Sequence, residues 1–246
     1  MFNFFSKKKF LVDYLDGFVD IHNHILPGID DGSKSVEESI ALIKGFKEFG
    51  VNRFVATPHI MNNYYPNTGS TINDSLNKLR NSLKEADLHN VHIEASAEHM
   101  IDDNFENLLD NDSVMPMKDN YLLIEMSYLQ PPINFDEALV KTVEKHFFPI
   151  LAHPERYGFL HFRKRRYSEY KEQGIMFQMN LLSLGDYYGK DVTKVAHELL
   201  DQGQIDFIGS DVHNINQLSS LKNLTISEKT AEKLLPIINN TIANFY

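Results

Sequence analysis

Five short segments each set metal-binding side chains at the end of an apolar run. They are Asp20-Ile21-His22-Asn23-His24, Thr57-Pro58-His59, Leu123-Ile124-Glu125, Ala152-His153-Pro154-Glu155-Arg156 and Ser210-Asp211-Val212-His213. Strand side chains alternate with a period of two, so the outer residues of His-x-His and Asp-x-His face the same way. Each such pair can grip one ion or two adjacent ions. The pattern points to a polynuclear metal centre and to hydrolytic chemistry.

The individual positions carry different weight. A lone histidine on an apolar strand is usually a satisfied core residue. His22 and His24 two apart, followed by Asp30-Asp31-Gly32, read instead as ligands. Asp211 and His213 repeat that logic on the last strand. Reading Asp211 as a helix cap would leave His213 unexplained. His59 and His153 each follow an apolar run directly. Glu125 follows Leu122-Leu123-Ile124, where a carboxylate is costly to bury unless paired or metal-bound. Glu98 competes with its neighbour His99, and alternation sends only one of them inward. Glu98 is preferred, because a carboxylate can bridge two cations and a neutral imidazole cannot. Of Asp30 and Asp31, one is expected to bind metal and the other to shape the turn. All the donors are nitrogen or oxygen, which suits Mn, Fe or Zn without deciding among them.

Arg156 lies three residues past His153, and a guanidinium beside a metal cluster is shaped to hold a phosphoryl group bidentately. The competing assignment is a surface pair with Glu155. Arg163-Lys164-Arg165-Arg166 is the concentrated basic run of the chain. It reads as a solvated helix face, or as a means of steering an anionic substrate. His89, His92, His146, His161 and His197 fall on helices, loops or strand beginnings and are taken as surface or structural.

Seven β-rich runs position these residues, at 18–24, 53–57, 91–97, 121–125, 149–153, 175–180 and 205–210. Most are apolar on both faces, as strands covered by helices are. Helical patterns fall between them at 35–49, 71–86, 134–146, 163–173, 191–202 and 227–244, with a shorter one at 102–111. Ser33 or Ser35 can cap the first of these helices, and Gly50 ends it. In the first helix Val36, Ile40, Ile43, Phe46 and Phe49 share a face; in the second, Ile72, Leu76, Leu79 and Leu83 form a stripe. Strand and helix repeated about seven times means parallel βαβ units. No glycine-rich turn follows the first strand, as a doubly wound nucleotide fold would show. The ligands sit at the C-terminal ends of different strands, which is where barrel enzymes keep their chemistry. A single-domain α/β barrel over 18–246, distorted and seven-stranded, is therefore expected, with an N-terminal arm at 1–17.

The bulk numbers agree with such a protein. The chain has 246 residues, 42% hydrophobic and 24% charged, with a formal net charge of −10. That charge argues against nucleic acid as a partner; three divalent ions would add roughly +6 and reverse the sign locally. There are no cysteines. This removes thiol nucleophiles, zinc–thiolate sites and disulfides together, and suits a reducing cytoplasm. No run approaches the ~18 apolar residues that span a bilayer. The opening Met1–Lys9 is aromatic and then basic, the reverse of a signal peptide. It reads as an arm on the domain or as a weak contact with a membrane or partner.

Taken together, His22-x-His24, Thr57-Pro58-His59, the Glu98 and Glu125 strand ends, His153-Pro-Glu-Arg156 and Ser210-Asp211-x-His213 resemble the polymerase and histidinol phosphatase (PHP) superfamily. The stretch from Asp20 to Gly32 narrows the likeness to the bacterial tyrosine-protein phosphatases of capsule and exopolysaccharide loci, the CpsB/YwqE group. The resemblance covers about Gly17 to about Asn214. It implies a distorted (β/α)7 TIM-like barrel of the PHP type with three divalent ions, chiefly manganese. On this resemblance His22, His24, Glu98 and Asp211 would hold the first ion. Glu98, Glu125 and His153 would hold the second, and Asp31, His59 and His213 the third. Arg156 would bind the phosphate. The implied reaction is in-line attack of a metal-bound hydroxide on phosphorus, with no covalent intermediate. The implied substrate is phosphotyrosine in the tail of an autophosphorylating bacterial kinase that controls polysaccharide export. Two other readings stay open: a small-molecule phosphatase of the histidinol-phosphate or sugar-phosphate type, and a non-catalytic, metal-stabilised phosphotyrosine-binding protein. Some relatives carry a second phosphate-binding arginine just past Asp-x-His, whereas Asn214-Ile215-Asn216-Gln217-Leu218 has none. Oligomeric state is not legible.

Overall fold

The computed structural model describes residues 9–246. Most of the aromatic-then-basic opening, residues 1–8, lies outside the described residues. The chain runs β1 (Lys9–Phe10), β2 (Val19–Asp20), α1 (Val36–Lys47), β3 (Arg53–Ala56), β4 (His59–Ile60), α2 (Gly69–Glu85), β5 (His92–Ala95) and β6 (Glu98–Met100). It continues with α3 (Phe105–Asp110), β7 (Tyr121–Glu125), α4 (Phe135–Glu144), β8 (Phe148–Ala152), α5 (Gly158–His161), α6 (Arg165–Glu172) and β9 (Met176–Asn180). The last elements are α7 (Lys190–Asp201), β10 (Phe207–Gly209), α8 (Ile215–Asn223), β11 (Thr225–Ile226) and α9 (Glu228–Phe245).

The strands form a curled parallel arrangement. One sheet has the order β2-β3-β5 and the other β10-β9-β8-β7-β6-β4, with every pairing in both parallel. Two of the expected strands are each followed by a further short strand. The run at 53–57 gives β3, and β4 follows beyond Thr57-Pro58, where proline has no N–H for the ladder. The run at 91–97 gives β5, and β6 follows beyond Ser96-Ala97. Hydrogen bonds still cross both breaks, from Ser96 N–H to the Ala56 carbonyl (2.8 Å) and from Glu98 N–H to that of Pro58 (3.1 Å). The first strand meets the last through a parallel bridge between Asn23 and Val212. There Asp211 N–H donates to the His22 carbonyl at 2.7 Å.

Ser35, not Ser33, caps α1, its hydroxyl accepting from Glu38 N–H. The stripe of α2 is buried as its spacing requires. The buried face of α1 is rotated from the expected one, onto Ser39, Leu42, Ile43, Gly45 and Phe46. Part of this face packs on α8, a helix the sequence pattern does not predict. A Cβ on Gly45 would stand 2.6 Å from Leu218 Cδ2, so α8 sits directly on this face.

Residues 9–17, read as part of an N-terminal arm, are tied in. β1 pairs antiparallel with β11, and Leu11 and Leu15 are fully buried in the main core. That core lies between strands and helices. A second apolar cluster contains Val19, Ile21, Val55, Met117, Leu123, Ile150, Ala152, Phe207 and Phe245.

Candidate metal centre

The second cluster is where the site begins. Leu123 and Glu125 share one face of β7, and Phe207, Gly209 and Asp211 share one face at the end of β10. The apolar members pack below; the carboxylates stand above them. Gly209 is required here, because a Cβ would fall 2.6 Å from His22 Cβ. Gly32 plays the same part for His24, whose Cβ is 2.5 Å from where a Gly32 side chain would start. His153 and Asp211 leave their strands in the left-handed region, at φ 36° and 52°. Non-glycine residues held there are strained, and such strain concentrates at functional sites.

All nine candidate ligands converge. His22 Nε2 is 3.2 Å from Glu98 Oε2 and 3.4 Å from Asp211 Oδ1. His24 Nε2 is 3.5 Å and 3.4 Å from the same two oxygens. His59 Nδ1 lies 3.1 Å from Glu98 and 2.9 Å from Glu125, while its Nε2 is 3.4 Å from Asp31. His153 Nε2 meets the other Glu98 oxygen at 2.9 Å, and His213 Nε2 is 3.5 Å from Asp31. Four groups bring donor atoms within 4.8 Å of one another: His24, Asp31, His59 and His213; His22, His24 and Asp211; His22, Glu98 and His153; His59, Glu98 and Glu125. Glu98 belongs to two of them. Glu125 groups with His59 and Glu98, and His153 with His22 and Glu98, so Glu98 joins the two.

These residues suit divalent cations. His22 Nε2, His24 Nε2, His59 Nδ1, Glu98 Oε2 and Glu125 Oε1 are buried with no hydrogen-bond partner. Buried polar atoms left so are rare and mark a missing ligand. The charges say the same. Burial alone would push the Glu98 and Asp211 carboxyls up, yet the imidazoles around them, His22 foremost, hold both well below the usual range. Burial likewise opposes charge on His24 and His59, but Asp30 and Glu125 respectively raise them well above an ordinary imidazole. The carboxylates thus demand positive charge at the cluster, a demand metal ions meet by displacing protons.

A surrounding layer, mostly not singled out in the sequence, fixes the ligands. Asp30 accepts from His24 Nδ1 (2.8 Å), Gly32 N–H (2.9 Å) and His59 N–H (3.2 Å), while Asp31 faces His59 and His213. Gln178 Oε1 accepts from His22 Nδ1 at 2.6 Å, which turns Nε2 toward the carboxylates. Gln178 Nε2 donates to Asn180 Oδ1 (3.1 Å), and Asn180 Nδ2 donates to Asp211 Oδ2 (2.6 Å). That leaves Asp211 Oδ1 for the cluster. Both polar residues lie inside a strand, Met176-Phe177-Gln178-Met179-Asn180, where their alternation was the available signal. His99 turns away from the cluster, its ring nitrogens meeting the Leu123 carbonyl (3.0 Å) and Met115 N–H (3.1 Å).

Arg156 is directed at the site and not at Glu155. Its Nη1 donates to Asp211 Oδ2 at 2.6 Å, and its guanidinium lies 4.8 Å from the Tyr128 ring and 4.2 Å from the Tyr188 ring. Glu155 is buried instead against Asn180 N–H (2.9 Å) and Ser183 Oγ (2.6 Å), anchoring the turn that carries His153. The basic run is balanced locally: Lys164 pairs with Glu198, Arg165 with Glu169, and Arg166 with Glu169 and Asp136. His89, His92, His146, His161 and His197 stay outside the cluster, His161 and His197 bonding the Glu155 and Leu184 carbonyls. A cavity of about 1240 Å³ opens over the ligands, with Glu98, Glu125, His153, Arg156, Asp211 and His213 in its wall.

Comparison with known proteins follows this geometry. The CapC protein of Staphylococcus aureus is 31% identical over 208 residues, covering 84% of this chain and 81% of its own. The tyrosine-protein phosphatase YwqE of Bacillus subtilis (strain 168) is 28% identical over 198 residues, covering 80% and 78%. A solved structure from work on YwqE of B. subtilis and CpsB of Streptococcus pneumoniae, described as unique metal-dependent tyrosine phosphatases, superposes with a TM-score of 0.81. It is 25% identical and covers 92% of this chain and 94% of that one. The family model for capsular polysaccharide synthesis, CpsB/CapC, matches residues 18–231. This chain belongs to the CpsB/CapC family.

Proposed function

We propose that the chain is a metal-dependent protein-tyrosine phosphatase. The observation that carries this reading is the convergence of nine nitrogen and oxygen ligands, seven of them lining one open cavity beside Arg156. Three ions, manganese in the first instance, are assigned to it. The ligand sets are His22, His24, Glu98 and Asp211; Glu98, Glu125 and His153; and Asp31, His59 and His213. Bound there, divalent cations supply Lewis acidity, lowering the pKa of water and offsetting phosphoryl charge.

The chain's own residues do the rest. Asp211 and the flanking rings of Tyr128 and Tyr188 hold Arg156 in place, so its remaining N–H donors are pre-aimed at phosphoryl oxygens. Gln178 and Asp30 set the ring orientation of His22 and His24. With no cysteine in the chain, no thiol can form a phosphoenzyme. The departing group is a tyrosine phenolate, whose unperturbed pKa of ~10 makes modest demands on acid assistance. The substrate assigned is phosphotyrosine in the tail of a capsule- or exopolysaccharide-regulating kinase, met in the cytoplasm. In this reading the two parallel sheets, joined at Asn23 and Val212, are one distorted (β/α)7 barrel over 18–246, with 9–17 packed against it. No described helix is long and apolar enough to cross a membrane.

A small phosphomonoester would suit a closed pocket. Here Tyr64, Leu129 and Ile133 stand exposed around the mouth, which favours a polypeptide. The test is phosphate release from a phosphotyrosine peptide and from histidinol phosphate, with EDTA and with added manganese. Arg156→Met is expected to cost about 10²–10³ in turnover on the peptide. Turnover that ignores the chelator would overturn the reading.

A further inference from the structure

The cavity is larger than one phosphotyrosine needs. Sites for compact small ligands run to about 300–1,000 Å³, and this one measures about 1240 Å³. Its wall includes Leu129 and Ile133, from the loop after β7, 89% and 99% exposed, and Tyr64, 77% exposed. Large apolar side chains this bare, grouped around one opening, mark a contact surface. The same opening carries Asp102 and Asp103. The Asp102 carboxylate accepts from Asn62 and Asn104 N–H, and that of Asp103 accepts from the Asn62 side-chain amide. Among the described residues no lysine or arginine pairs with either.

We propose that this rim selects substrate: it receives an extended protein segment whose residues beside the phosphotyrosine are apolar or basic, and it rejects acidic flanks. The inference rests on the phosphatase reading and deepens it. The occupant follows from continuity and charge. The rim and the ligand cluster line one cavity, so a polypeptide that presents its phosphoryl group to Arg156 can extend over Leu129, Ile133 and Tyr64. Asp102 and Asp103 face that segment unneutralised, in a chain of net charge −10, and like charges opposed across an interface suppress binding.

The test uses three substrates: p-nitrophenyl phosphate, a phosphotyrosine peptide with Leu, Val and Lys flanks, and one with Asp and Glu flanks. Manganese-loaded wild type is expected to prefer the apolar–basic peptide by about tenfold in kcat/KM. Leu129→Asp and Ile133→Asp are expected each to lower kcat/KM on that peptide about tenfold, through KM, with p-nitrophenyl phosphate turnover unchanged. Asp103→Lys is expected to raise turnover of the acidic peptide. Equal wild-type rates on the two peptides overturn the proposal. So does a uniform loss on all three substrates. Light scattering supplies another contrary result: if the Leu129 and Ile133 variants dissociate an oligomer while peptide preference is unaltered, the patch joins two copies of this chain. Absence of phosphate release from all substrates by wild type would instead sink the phosphatase reading itself.

Discussion

The two ends of the strand bundle are built from the same alternation and solve opposite problems. At the lower end Tyr121, Phe207 and Phe245 close on one another, with ring centroids 5.2–5.7 Å apart. Among the described residues no buried side-chain polar atom is stranded there, so packing completes that end. At the upper end the same strands deliver His22, Glu98, Glu125 and Asp211, and six buried ligand atoms, one each on His22, His24, His59, Glu98, Glu125 and His153, remain without hydrogen bonds. That end is complete only with cations. Stability belongs to one end and chemistry to the other, although both are equally buried.

Substitutions can break this division. The largest effect is expected from Glu98→Gln, which keeps shape but removes the charge shared by two donor groups; phosphate release from a phosphotyrosine peptide should fall to background, with the circular dichroism spectrum unchanged. Phe207→Ala is expected to do the reverse. It should cost about 3–5 kcal/mol of stability, read by denaturant unfolding, while turnover below the melting transition is retained. Removing metal comes next. At a free manganese concentration one hundred times its Kd, EDTA should withdraw about 2.7 kcal/mol per site and lower Tm accordingly; the shift should shrink in Glu98→Gln and persist undiminished in Phe207→Ala. The smallest effect is expected from Gln178→Leu, which frees the His22 ring and should weaken manganese binding about 10–100-fold by calorimetry. If Gln178→Leu lowered stability as much as Phe207→Ala with manganese affinity intact, the contrast between the ends would fail.

How much of this was legible depends on how local each feature is. Glu98 over His99 followed from alternation and bridging chemistry, and the structure turns the two side chains in opposite directions. The stripe of α2 followed from its period. The strand ends near Thr57 and Ala97 are local features, whereas the resumption of pairing as β4 and β6 had no local signal. The helix α8 was missed because Asn214–Gln217 reads as a polar loop; its cap, Asn214 Oδ1 accepting from Asn216 and Gln217 N–H, becomes visible only in three dimensions. Arg156 had two plausible partners in sequence, and burial of Glu155 against Ser183 decided between them.

The sequence by itself determined the ligand inventory, the strand ends that carry it and the absence of thiol chemistry, because alternation and residue type are properties of neighbouring positions. Tertiary structure alone decided which donors share an ion-sized space, how Gln178 and Asp30 turn the imidazoles, and that Leu129 and Tyr64 line one opening. Those relations join residues far apart in the chain, held by the pairing of parallel strands and by left-handed turns at His153 and Asp211 that no local preference would select.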